Sequence, residues 1–94
     1  MSKEKTVAGA PVNCPANKST KVFSMTYGGF GYVKYTIKLS TTEKAVATKW
    51  YNGIPIWWDF YGTTTFTVLP GYTSVYVKPT VNCTSVYYET GLES

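Results

Sequence analysis

Between positions 20 and 88 the chain alternates β-branched and aromatic residues with polar ones, in short runs broken by glycine, proline and asparagine. Such a pattern buries itself as β-strands. Seven runs can be counted: 21–27, 31–39, 45–51, 54–61, 63–69, 72–78 and 80–88. The second is the clearest. Val33, Tyr35, Ile37 and Leu39 share one face while Lys34, Thr36 and Lys38 share the other, as in an antiparallel strand with one wet side. Phe23, Met25 and Tyr27 point one way in the first run, and Ile56, Trp58 and Phe60 oppose Trp57, Asp59 and Tyr61 in the fourth. Phe66 and Val68 face inward in the fifth. In the last run Val81, Cys83, Ser85 and Tyr87 alternate with Thr84, Val86 and Tyr88.

The turn chemistry agrees with strands. Asn52-Gly53 tolerates positive φ and suits a two-residue type I′ hairpin, and Pro70-Gly71 suits a type II turn. Pro55 has no amide hydrogen, which places the start of its strand at a sheet edge. A weak helical period over residues 42–50 is outweighed by their Thr and Val content. The expected fold is all-β, a small antiparallel β-sandwich of jelly-roll or Ig-like type with about seven strands. Three Trp, nine Tyr and four Phe can fill the space between two sheets about 10 Å apart. The sandwich takes residues 20–94. Residues 1–19 carry Gly9, Pro11, Asn13, Pro15 and Asn17 but only Val7 and Val12 as sizeable apolar side chains, so they read as an extended N-terminal arm or connector.

A chain of 94 residues makes one domain that buries only about 60–65% of its unfolded surface. A further stabilising term is therefore expected. A disulfide between Cys14 and Cys83 would supply roughly 4 kcal/mol in the chain-entropy model, and a neighbouring subunit is the alternative. The formal charge of +4 comes from nine basic residues that are all Lys. Without Arg there is no bidentate fork for phosphate or guanine, so nucleic acid is not an expected partner. Residues 1–10 hold no apolar run and no stretch approaches the roughly 20 apolar residues of a spanning helix. The expectation is a soluble chain made in the cytoplasm without a signal peptide and with no membrane span. Two cysteines in such a chain suggest a product that works outside the cell after lysis or release, on a spore, virion or similar surface.

Catalytic chemistry finds little to use. There is no His, which removes imidazole as base or ligand, and two distant cysteines do not make a zinc site. Asp59 is the one carboxylate within an aromatic run and is expected on an outer face beside a Lys. Gly28-Gly29-Phe30-Gly31 is Gly-rich, but no helix follows it. No enzyme, metal or cofactor is predicted. Trp50, Tyr51, Trp57 and Tyr61 are candidates for an exposed aromatic platform that stacks on sugar rings or bases. That reading makes the chain a monomeric binding module, for virion decoration or carbohydrate binding. The competing reading starts from the edges. Residues 63–69 and 80–88 carry no charge, and uncharged β-prone edges invite strand addition by another subunit. Thr65, Phe66, Thr67 and Val68, with Thr84 and Val86, are the expected assembly edges, and a cysteine on the last run and one on the arm would lock the contact.

Several segments resemble the Ena-type subunits of bacterial endospore appendages. They are Gly31-Tyr32-Val33-Lys34, Thr65-Phe66-Thr67-Val68 followed by Tyr72-Thr73-Ser74-Val75, and Cys83-Thr84-Ser85-Val86-Tyr87-Tyr88, preceded by a Cys-bearing arm. Those subunits are small jelly-roll proteins assembled into disulfide-linked fibres. The resemblance implies a homo-oligomeric fibre, with a surface or anchoring protein as a further expected partner, in which the arm reaches a preceding subunit and Cys14 bonds Cys83 there. The chain departs from that family in having one arm cysteine where a pair is typical, and Phe23 where a first-strand cysteine is expected.

Overall fold

The computed structural model describes residues 9–93, so the first eight residues of the expected arm lie outside the described residues. The strands are β1 (Val12–Cys14), β2 (Thr20–Tyr27), β3 (Tyr32–Leu39), β4 (Lys44–Tyr51), β5 (Ile54–Tyr61), β6 (Thr63–Val68), β7 (Gly71–Pro79) and β8 (Cys83–Glu93). They form two four-stranded sheets, β1-β8-β3-β6 and β2-β7-β4-β5, with every pair antiparallel. Apart from the β4–β5 hairpin, each strand is followed by one in the other sheet.

The count is eight rather than seven because the arm contributes β1. Three residues between Pro11 and Pro15 are too few to show a period, so nothing in the sequence pattern marks them. The last strand also begins later than residue 80. Thr80 gives both its amide and its hydroxyl to the Lys44 carbonyl (3.2 and 2.9 Å), and Asn82 Oδ1 accepts the Ala16 amide at 2.8 Å. Residues 80–82 are thereby held in a turn that anchors the arm, and the strand starts at Cys83. Residues 42–50 hold no helix; β4 takes them from Lys44 onward.

Alternation sets the core. Val33, Tyr35, Ile37 and Leu39 of β3, Phe66 and Val68 of β6, Ala45 and Ala47 of β4, Phe60 of β5 and Val75 and Val77 of β7 are all buried in one cluster. Phe23 binds the two sheets together. Its ring centroid lies 4.8 Å from Tyr35, 5.0 Å from Phe66 and 4.9 Å from Tyr87, all three on the opposite sheet. Tilted and edge-on rings at this spacing add dispersion and quadrupole attraction to simple burial. A bulge between Lys21 and Phe23 lets the adjacent Val22 and Phe23 both face inward. The hairpin forms as its residues require, with Asn52 at φ 54° and Gly53 at φ 78° between the paired Tyr51 and Ile54. These are the type I′ conformations.

Because Phe23 touches three rings at once, truncating it leaves a cavity that no single neighbour can fill. Phe23→Ala is expected to cost about 3–5 kcal/mol in urea-induced unfolding. Met25→Ala, at a half-buried position on the same strand, is expected to cost less.

Candidate functional site

Three features stand out: a cysteine pair, an open flank and an aromatic face. The first depends on how the arm docks. The Gly9 amide donates to the Tyr87 carbonyl at 2.9 Å and the Asn17 amide to Pro79 at 2.7 Å, with Asn17 at φ 61°. Between these anchors β1 lies on β8 with Val12 opposite Ser85, Asn13 opposite Thr84 and Cys14 opposite Cys83. Gly9 is needed for the fit, because a Cβ there would stand 2.2 Å from the Tyr87 ring. The two cysteines, which the resemblance assigns to neighbouring subunits, thus meet within one chain. Both are free thiols. Cys14 is fully buried, and Cys83 is half-buried. Burial, reinforced by the charge and hydrogen bond of Cys83, pushes the Cys14 thiol up to about 11. Burial raises the Cys83 thiol too, against a hydrogen bond with Cys14 that pulls it back.

The open flank lies on the other side of the molecule. β5 ends one sheet, β6 ends the other, and only Gly62 at φ 77° separates them in sequence. Of the residues expected as assembly edges, Thr65, Phe66, Thr67 and Val68 do sit on an edge strand, with Phe66 and Val68 buried and Thr65 exposed. The Thr67 carbonyl points away from β3, since it accepts a hydrogen bond from Lys49 Nζ at 2.8 Å. By the alternation of an antiparallel ladder, the amides of Thr63, Thr65 and Thr67 point outward with it. Lys49 comes from the inner side of the facing sheet, and burial pulls its ammonium below the usual lysine range. Lys49, Ile56, Trp58, Phe66 and Thr67 are among the residues lining an open groove of about 400 Å³ between the two edges. Trp58 Nε1 bridges it to Thr64 Oγ1 at 2.7 Å.

Thr84 and Val86 are corrected. The amide of Thr84 bonds Ser40 Oγ and its carbonyl accepts the Ser40 amide, both at 2.9 Å, while Val86 pairs with Lys38 of β3. Neither is an edge. On the flank of β8 away from β3, β1 pairs as far as Ser85 and the Gly9 amide reaches the Tyr87 carbonyl; beyond Tyr87 no strand pairs with that flank among the described residues.

The third feature is the outer face of the sheet containing β5. Trp50 stands opposite Pro55 and Thr48 opposite Trp57, so Trp50, Trp57 and Tyr61 share that face, at 40, 64 and 66% exposure. Tyr76, opposite Thr48 on β7, adds a half-buried ring that sequence reasoning missed, although its alternation with buried Val75 and Val77 could have flagged it. Tyr51 does not belong to the platform. It points to the other side and donates its hydroxyl to the Pro70 carbonyl at 2.6 Å. Asp59 is on the outer face beside Lys44, 3.3 Å away with both side chains about half exposed, a pair worth little. No known family, curated protein or solved structure matches this chain.

The thiols make stability depend on pH. The folded state holds the Cys14 proton up to about 11, against 9.0 for an ordinary thiol, so the unfolded chain releases its proton first as pH rises. Reduced protein is expected to lose on the order of 1–2 kcal/mol between those limits relative to Cys14→Ala, read by urea unfolding in reductant at pH 8 and pH 11.

Proposed function

We propose that this chain is a non-enzymatic structural subunit, an eight-stranded jelly-roll sandwich that assembles with copies of itself through its sheet edges. Its assembly forms a fibre or another surface structure, outside the cell on a spore, virion or similar body. The strand order supports the jelly-roll reading, because four strands in each sheet with the chain crossing between them make two Greek keys.

One observation carries the proposal: the flank where both sheets end is also where apolar side chains crowd outward. Ile54 is 65%, Ile56 56%, Trp57 64% and Tyr61 66% exposed, all on the edge strand β5. Pairing of β4 with the alternate residues of β5 leaves the backbone amides of Trp57, Asp59 and Tyr61 pointing away from the sheet. By register Ile54 and Ile56 lie on the Lys49 side and Trp57 and Tyr61 on the outer face, so β5 carries exposed apolar side chains on both faces beside outward amides, the composition of a contact edge. A second copy offers both complementary backbone and apolar surface.

A second reading has its own observation. Trp50, Trp57 and Tyr61 present rings on one outer face, none stacked on another among the described residues. Such a face suits stacking against sugar rings and would serve a binding module. The two readings separate cleanly, because Trp57→Ala is expected to abolish retention in polysaccharide affinity gels under the second reading without changing particle size.

Sedimentation across a concentration series tests the first. The protein is expected to form species larger than its 10.4 kDa monomer as concentration rises. Thr67→Pro removes an outward amide and no β3 hydrogen bond, so it is expected to shift the population to monomer while changing the melting temperature by only a few degrees. Lys49→Ala strips the guard from the Thr67 carbonyl and is expected to enlarge the particles. A parent that stays monomeric at every concentration would sink the proposal.

A further inference from the structure

We infer that Cys14 and Cys83 close a disulfide within a single chain, stapling the arm onto β8 of its own body. This does not rest on the assembly of copies and goes beyond it, because it fixes where the arm is spent.

The argument is geometric. Cys14 and Cys83 are direct partners across an antiparallel pair. Residues so placed have Cα atoms about 4.5–5.5 Å apart, within the roughly 4.4–6.8 Å that a disulfide spans. In the reduced chain the Cys14 thiol donates to the Val12 carbonyl at 3.5 Å, and the register alone puts Cys83 directly across from it. The arm holds this register without the bond, through the Gly9, Ala16 and Asn17 amides on either side of β1. Thiols kept opposite each other by independent contacts react with one another faster than with a thiol that must diffuse in. The pair also has a way in: Asn13, Pro15, Ser40, Asn82 and Thr84 surround the two cysteines in an open depression of about 530 Å³. A bond here contributes more than one between neighbouring residues, since it closes positions 14–83 into a long loop.

The chemistry balances with a low-molecular-weight disulfide as oxidant. Cys83, the more exposed thiol, loses its proton and attacks one sulfur of the oxidant, releasing one thiolate and leaving a mixed disulfide on Cys83. Cys14 then loses its proton and attacks the Cys83 sulfur, expelling the second thiolate. Two protein thiols have given up two protons and two electrons, and the oxidant has become two thiols. Since burial holds both protein thiols in the protonated form, the reaction is slow near neutral pH and speeds up as pH rises.

The test is oxidation of purified reduced protein with excess oxidised glutathione, followed by denaturation in N-ethylmaleimide. The expected product is a monomer lighter by two hydrogen atoms, free of maleimide, whose proteolytic fragments link position 14 to position 83. Its melting temperature is expected to rise by on the order of 10 °C or more, and reductant should reverse the change. Cys83→Ser, at the half-buried position, is expected to keep the fold, to retain one reactive thiol and to show no such rise. Mixing isotopically light and heavy chains before oxidation should give no mixed cross-link. A reductant-sensitive ladder containing light–heavy pairs would overturn the inference, as would two maleimide adducts per chain or glutathione left on Cys83 beside a free Cys14.

Discussion

Backbone that points out of a sheet, without a partner strand among the described residues, is the constraint around which this molecule is organised. The two four-stranded sheets end in β1 and β6 and in β2 and β5, and three of these four ends carry a visible guard. β1 covers the start of β8. Lys49 crosses the groove to occupy the Thr67 carbonyl of β6. Pro55 withholds an amide from β5. Charge, proline and cover are the devices by which proteins blunt exposed sheet edges. A lysine reaching inward is an expensive guard, since burial disfavours its charge, and its presence at this edge argues that the edge matters.

The packing explains why apolar surface is left over. Phe23 draws Tyr35, Phe66 and Tyr87 into one interlocked group, and Ala45 and Ala47 are buried in the same cluster. Register decides where the tryptophans go, since β4 and β5 alternate inward and outward positions. Trp58 fits only at its margin, tethered to Thr64, and Trp57 and Trp50 stand on the outside. The alternate positions of β4 and β5 thus leave Trp50, Trp57 and Tyr61 on the outer face and edge of one sheet. That exposed apolar surface is the ground on which the proposed contact between copies rests.

Much of this was legible in the residues. Period-two alternation located seven of the eight strands and placed Val33, Tyr35, Ile37 and Leu39 inside, because a side chain every second position has only one core to face. Asn52-Gly53 announced its turn, since few other pairs accept two positive φ angles. β1 escaped because its place comes from distant hydrogen bonds to Tyr87, Asn82 and Pro79 and not from its own pattern. Thr84 and Val86 were misread for a related reason. An uncharged run says nothing about which neighbours lie beside it, and only the strand order reveals that Ser40 and β3 already satisfy them. Lys49 hid among solvent-facing lysines, for no spacing distinguishes an inward cation until the opposite sheet is in place.

The most direct measurement of the central claim is amide hydrogen exchange at Trp57, Thr65 and Thr67 as a function of protein concentration. These amides have no partner within their own sheets, so in dilute solution they should exchange quickly. If copies complete the edges, their protection will grow with concentration while that of core amides such as Ile37 stays constant. Exchange that remains fast at every concentration would contradict the account.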